Sequence, residues 1–241
     1  MQLVTWNLNG LEDRHIDERT EAAMFQMLLG VPLEKAMIEN FKPNTPDIIV
    51  LQEVVERSYH AHVLPHLKAA GFSIYPQEIS ERSYFEVIAT RLPVSSYNKV
   101  KFESTEQGRE LSILQLENKL TIMTAHMESM KPGSSMRVEQ AKFILGEMNK
   151  LSTPSIFAGD TNLRTSEWES LDIKDIIDAW EATGSIKKYK TTWQREKYQV
   201  RYDRVWTKHL NITGFEVFGG NKITTIKEAS SDHRAIRVMF E

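Results

Sequence analysis

The chain has 241 residues, 41% hydrophobic and 26% charged, with a formal net charge of −3 and no cysteine. That length suits one large domain spanning residues 1–241, undivided by any Pro/Gly/Ser-rich linker, and the composition excludes disordered, low-complexity and membrane-spanning classes. Lack of cysteine excludes disulfides, thiol nucleophiles and cysteine-ligated zinc, while the negative total excludes a globally cationic nucleic-acid binder but not a local basic strip.

The first apolar run, Leu3-Val4-Thr5-Trp6, starts without a basic leader, so no signal peptide is expected and an intracellular location, cytoplasmic or nuclear, is. Gln2 to Asn7 reads as a buried strand closed by the turn Asn7-Leu8-Asn9-Gly10. From about Arg19, the spacing of Ala22, Ala23, Phe25, Met27, Leu28 and Leu29 predicts a helix that stops at Gly30, with a second helical piece after Pro32. Asp47 to Glu53 is a second buried strand, ending in a carboxylate. Arg57 to Ala70 reads as helix and carries His60, His62 and His66. The spacing of the last two would suit zinc, but no nearby acid completes a zinc-protease pattern, so surface or edge roles are expected. Strands are expected at Phe72 to Tyr75, Tyr84 to Thr90, Val94 to Phe102, Arg109 to Leu116 and Leu120 to His126, paired antiparallel in succession. Glu128 and Ser129 follow the last of them.

Ser134 to Lys150 is a helix with Val138, Ala141, Phe143, Ile144, Leu145 and Met148 as its apolar positions. The strand Ser155 to Gly159 then runs into Asp160-Thr161-Asn162-Leu163-Arg164. If the chain stays extended, Asp160 and Asn162 face one side at a strand's carboxyl end, where open α/β sheets place chemistry; the competing reading is an Asx turn. A helix is expected within Trp168 to Thr183, an extended piece at Thr191 to Trp193, and a strand from Val200 to Trp206 containing Asp203, an acid that needs a partner if buried. Between Lys187 and Lys208 lie Lys187, Lys188, Lys190, Arg195, Lys197, Arg201, Arg204 and Lys208, interleaved with Tyr189, Trp193, Tyr198 and Tyr202. Such a strip is either a solvated loop and strand edge or a track for phosphates and bases. Gly219-Gly220-Asn221 reads as a hairpin turn between Phe215 to Phe218 and Ile223 to Ile226. Ser230-Ser231-Asp232-His233-Arg234 leads into the last strand, Ala235 to Phe240. Adjacent Asp232 and His233 cannot point the same way in an extended chain, so they suit two neighbouring functions, with Asp203 as natural partner of the imidazole.

Polar residues thus close strand after strand. The ordered set Thr5-Trp6-Asn7, Leu51-Gln52-Glu53, Gly159-Asp160-Thr161-Asn162, Tyr202-Asp203-Arg204 and Ser231-Asp232-His233 resembles the endonuclease/exonuclease/phosphatase superfamily of magnesium-dependent phosphodiesterases over essentially the whole chain. Within it, Thr124 to Ser129, Gly159 to Arg164, Asp178-Ala179-Trp180-Glu181 and Thr192-Trp193 are similar to the catalytic domains of tyrosyl-DNA phosphodiesterases. The resemblance implies an α/β fold, a four-layer α/β/β/α sandwich of two mixed β-sheets flanked by helices, with the site at one edge. It implies magnesium, with manganese as a substitute, held by Glu53, Asn7 and Asp232. It further implies a water activated by Asp160 and oriented by Asn162, with His126 and His233, the latter held by Asp203, donating to phosphate oxygens. Arg164, Trp193, Ser129 and Asn9 are the implied substrate contacts, Arg164 and Trp193 packing together by cation–π contact. The implied substrate is DNA with a 5′-tyrosyl adduct at a single-stranded end, and no membrane; a related enzyme acting on abasic DNA, RNA or a small phosphodiester is the alternative. Two departures stand out. Asn9 occupies a position where the nearest group has aspartate, and the segment between Asn7 and Glu53 is longer than the family's single helix.

Overall fold

In the computed structural model, which describes residues 1–30, 43–79 and 82–241, alternation along apolar strands sends side chains into different cores on the two sheet faces. One sheet has the order β13-β14-β1-β2-β4-β3, built from Ile212–Phe218, Ala235–Phe240, Gln2–Asn7, Ile48–Val54, Phe85–Thr90 and Ser73–Tyr75. The other has the order β5-β6-β7-β8-β12-β9, built from Val94–Lys101, Glu110–Leu116, Thr121–Thr124, Ser155–Asp160, Asp203–Lys208 and Ile177–Asp178. Each sheet has one parallel pair at its centre, β1 with β2 and β7 with β8, and is otherwise antiparallel.

Leu3, Ile48, Val50, Ile88, Ile122, Ile156, Val205, Ile236 and Val238 fill the space between the sheets. The intervening Val4, Trp6, Ile49 and Leu51 face outward and pack with Met24 and Met27 of the helix Ile16–Leu29 and with Val63 and Leu67. On the opposite side Met123, Phe157 and Trp206 pack with Ile144, Leu145 and Met148 of the helix Ser134–Lys150. Full burial of each such side chain contributes about 1.5–3 kcal/mol, so sequence alternation itself drives the α/β/β/α layering. Gly30 ends the first helix in the left-handed conformation, φ 80°. The helical piece expected after Pro32 lies outside the described residues.

The same parity carries the polar residues. Asn7 continues the inner face of Leu3 and Thr5, Asp160 that of Ile156 and Ala158, and Asp203 that of Val205. Beneath them Gln52 Nε2 donates to Thr5 Oγ1 at 3.2 Å and to Thr124 Oγ1 at 3.1 Å, tying the two sheets together where the apolar core runs out.

Three expectations are corrected. The helix expected within Trp168 to Thr183 is two short helices, Thr165–Glu169 and Ala179–Ala182, because Leu171 and Ile176 between them turn into the outer core instead of continuing a helix face. Asp203 begins its strand rather than lying inside one, since Tyr198–Val200 pairs with Trp193–Arg195 as a separate ribbon, β10-β11. The hairpin expected at Gly219 does not form. Phe218 pairs with Ala235 and Ile212 with Phe240, so the last strand is the partner. Residues 222–229 instead close on themselves, Ile223 N–H to Glu228 O at 2.7 Å. Of the histidines in the helical segment that follows β2, His62 places Nε2 3.2 Å from Asp17 Oδ1 and His66 places Nδ1 2.7 Å from the His62 carbonyl. Among the described residues no helix is long and apolar enough to cross a membrane.

Candidate active site

Where β1, β2 and β8 end, Asn7 Nδ2 donates to Asp160 Oδ2 at 2.9 Å and to Glu53 Oε1 at 3.3 Å. His126, bridged to Asp160 just beyond β7, brings Nε2 to 3.4 Å from Asp160 Oδ2 and Nδ1 to 3.6 Å from Glu53 Oε1. The approach of these chains depends on Gly159, where an added Cβ would lie 2.4 Å from the Ala125 carbonyl oxygen. On the other side His233 places Nε2 3.7 Å from Asp160 Oδ2 and Nδ1 2.8 Å from Asp203 Oδ2. Its loop is pinned to β1. Ser231 Oγ donates to the Asn7 carbonyl at 2.7 Å and accepts the His233 N–H at 3.0 Å, and Trp6 Nε1 donates to the His233 carbonyl at 3.0 Å.

Electrostatics separate the two imidazoles. Burial, with Arg109 nearby, pushes His126 down to about 3, so its ring is neutral. Burial would also lower His233, but the facing carboxylates of Asp203 and Asp160 outweigh it and lift it to about 10, making it an imidazolium. Burial raises Asp203, opposed by His233; with 2.8 Å between them the pair shares a proton that rests on the imidazole. Burial would raise Asp160 too, yet the His233 imidazolium, with the donors of Asn162 and Asn7, outweighs it and holds this carboxyl below the usual range, ionised. Glu53 is raised by burial and then by the Asp160 charge.

Asp160, Asp203 and His233 each present a ligand atom within 4.8 Å of the others, a group able to hold a metal ion. Here those atoms already serve each other through the imidazolium. The raised Glu53 carboxyl, sharing one neutral amide with Asp160, marks the place where positive charge is short, and the surrounding donors are oxygens suited to a hard cation.

The remaining expected residues fall around this cluster. Asn162 has φ 51° and its N–H donates to Asp160 Oδ1 at 2.9 Å, so the chain turns instead of staying extended, while its Nδ2 donates to the Met127 carbonyl at 3.3 Å. The Asx turn and the polar cluster therefore coexist. Asp232 is exposed and accepts the Trp193 indole N–H at 2.9 Å, while its charge still acts on His233 and Glu53. Arg164 does not stack on Trp193: Tyr202 stands between them, 6.0 Å from the Arg164 guanidinium and 5.4 Å from the Trp193 ring, because Asp232 draws the indole to its own side. Asn9 turns at φ 50° so that its N–H donates to Asn7 Oδ1 at 2.9 Å. Ser129 is held by Gln107, whose Oε1 accepts the Ser129 N–H at 3.0 Å.

Two neighbours were not anticipated. Tyr84 lies with its ring 5.9 Å from that of His126, and the buried Arg109 stands 5.3 Å from the Tyr84 ring. In the sequence Arg109 is one more charge at a strand start. The basic strip is also not a single surface. Arg201 and Arg204 pair with Asp178 at 2.7 and 3.4 Å, and buried Lys208 donates to the carbonyls of Asn149 and Leu151, both at 3.0 Å, at the end of a helix.

The model of the Endonuclease/Exonuclease/phosphatase family matches residues 4–233. The chain is 29% identical over 269 residues to tyrosyl-DNA phosphodiesterase 2 of Gallus gallus, covering 99% of this chain and 66% of that protein. It is 28% identical over 246 residues to the Mus musculus protein of the same name, covering 92% of this chain and 61% of that one. The chain therefore spans less than two thirds of these relatives' length. In fold it matches D. rerio TDP2 complexed with single strand DNA product, with a TM-score of 0.82, 24% identity, and coverage of 100% of this chain and 98% of that one.

Proposed function

The chain belongs to the endonuclease/exonuclease/phosphatase family, and from that membership we propose that residues 1–241 form a single catalytic domain, a magnesium-dependent phosphodiesterase that hydrolyses 5′-phosphotyrosyl-DNA linkages. The observation that carries the reading is His233, held as an imidazolium by Asp203 and facing an ionised Asp160 across 3.7 Å. Relatives named tyrosyl-DNA phosphodiesterase 2, one of them complexed with single strand DNA product, support the substrate.

A phosphodiester is anionic and repels hydroxide, so its hydrolysis needs an activated water and stabilised phosphate oxygens. Asp160 accepts the proton of a water that attacks phosphorus, and Asn162, fixed on the Asp160 turn, orients that water. The P–O bond to the tyrosyl oxygen breaks with its electron pair leaving on the phenol, and the DNA keeps a 5′ phosphate. Because phenols ionise near 10, the leaving oxygen needs little help. His233 donates from Nε2 to the phosphate as charge builds, and neutral His126 still offers one N–H. Glu53, Asn7 and Asp232 would hold the magnesium, which when bound neutralises phosphate charge. Ser129, Arg164, Trp193 and Asn9 wall the site and contact the substrate.

The test offers a 5′-phosphotyrosyl single strand, an abasic duplex, an RNA tail and a small phosphodiester at matched concentration. The tyrosyl strand is expected to give the highest kcat/KM, with activity abolished by chelator and restored by magnesium. Preference for the abasic duplex, RNA or small diester overturns the substrate, and full activity in excess chelator overturns the metal.

A further inference from the structure

Between β5 and β6 the chain loops out through residues 102–109, and the buried Glu128 carboxylate gathers that loop in. Its Oε1 accepts the N–H groups of Glu106 at 3.1 Å and Gln107 at 3.0 Å, and its Oε2 accepts the Thr105 hydroxyl at 2.8 Å. The exposed Gln107 side chain is thereby turned back on the catalytic edge. Its Oε1 lies 2.7 Å from Arg109 Nη2, 3.2 Å from Arg109 Nε and 3.0 Å from both the N–H and the Oγ of Ser129, and its Nε2 lies 2.9 Å from that same Oγ. An amide oxygen has two lone pairs, which the guanidinium fork and the Ser129 N–H fill, so the hydroxyl is best satisfied by accepting from Nε2. Its own proton is then free for an anionic oxygen. Arg109 is 2% exposed and makes no ion pair among the described residues. Neighbouring Glu110 is taken by Arg82 at 3.3 Å and Lys99 at 3.7 Å, and buried Glu86 reaches no hydrogen-bond partner with either oxygen. A buried cation is ordinarily met by a carboxylate. Here the acceptor is neutral, so the Arg109 charge stays uncompensated 5.3 Å from the Tyr84 ring, which lies 5.9 Å from that of His126.

We propose that Gln107 is a positioning residue for the reaction: its neutral amide holds Arg109 in place without cancelling its charge, and leaves the Ser129 hydroxyl proton free for the substrate. The inference rests on the phosphodiesterase reading and adds to it a side chain that touches no reacting atom. Glutamate at this position would reverse both effects. A carboxylate is a stronger partner for a buried guanidinium, yet it quenches the charge; as an acceptor only, it also captures the Ser129 hydroxyl proton. Stability and turnover therefore move in opposite directions in Gln107→Glu, whereas a merely structural side chain would move them together.

The test compares wild type, Gln107→Glu and Gln107→Leu at neutral pH for melting temperature and for kcat and KM on whichever of the four substrates above wild type cleaves fastest. Gln107→Leu should melt about 4 °C lower, because buried Arg109 loses its acceptor. Gln107→Glu should melt at or above wild type. Both should lose about tenfold in kcat while KM changes by less than about twofold, the pattern of groups held out of place rather than of lost substrate affinity. In a Ser129→Ala background the cost of Gln107→Glu should shrink by about threefold or more, since the hydroxyl it captures is gone. Wild-type kcat in the glutamate variant, a glutamate variant that melts below the leucine one, or additive costs of the Gln107 and Ser129 substitutions each overturn the proposal. So does a loss carried by KM and relieved by salt, which is simple repulsion of an anionic substrate. If wild type cleaves none of the substrates, the functional reading fails separately and the melts decide the hold on Arg109: glutamate at or above wild type with leucine below upholds it, and any other order overturns it.

Discussion

Asp160 lies under two imidazoles of opposite character, one neutral and one charged, and this asymmetry sets what substitutions should do. Asp160→Asn and His233→Ala should each cost at least about 2.7–4 kcal/mol in barrier, the loss typical of a preorganised catalytic group. Near wild-type turnover by either folded, purified variant would remove that residue from the mechanism. Glu53→Gln should raise the magnesium concentration for half-maximal activity far more than Asn9→Ala does. Glu53 offers a charged oxygen near the cluster, whereas Asn9 engages Asn7 through its backbone. Equal shifts in a metal titration would refute that ranking. The pairing of Asp203 with His233 was legible in sequence, because adjacent Asp232 and His233 diverge in an extended chain and a buried strand acid needs a partner. The placement of Tyr202 between Arg164 and Trp193 was not, since it depends on where a three-residue ribbon lies against the neighbouring strand.

At the scale of elements, the turn that carries Asn162 and Arg164 is anchored by Glu167, and its acid sensitivity follows. Glu167 Oε2 accepts the Arg164 N–H at 2.8 Å, Oε1 accepts from buried Arg137 at 2.7 Å, and Ser134 Oγ also donates to it. Burial would raise this carboxyl, but those donors hold it below its ordinary value. A depressed carboxyl stabilises the fold fully above its unfolded value of about 4.3, and the contribution fades as pH falls through the folded one. Glu167→Gln should therefore flatten the acid limb of a melting-temperature profile, and a limb as steep as wild type would contradict the assignment. Glu167→Ala should cost about 3–5 kcal/mol by leaving Arg137 buried without its partner, measurable by urea unfolding. The long elements were legible because alternation and helical spacing are strong over six or more residues. The short helices around Asp178 were not, because two residues of strand carry no period.

For the whole molecule, sequence distance and spatial distance part company at β14, which lies between β13 and β1. The pairing of Thr5 with Ile236 joins the two ends of the chain in one sheet. Deleting residues 235–241 should abolish cooperative unfolding, because Val238 and Phe240 belong to the inter-sheet core and both neighbouring strands lose their partner. A truncated chain with an intact sigmoidal melt would show that the sheet closes without this strand. The layered order was legible only through the family resemblance that the motif order carries, whereas the pairing of β13 was not, because a Gly-Gly-Asn turn competes locally with a distant but longer apolar partner. During translation, Asn7 leaves the ribosome long before His233, whose loop fastens onto β1 through Ser231 and Trp6. A nascent chain therefore carries half a catalytic centre until His233 has emerged, and a product terminated before that residue lacks the imidazolium that faces Asp160.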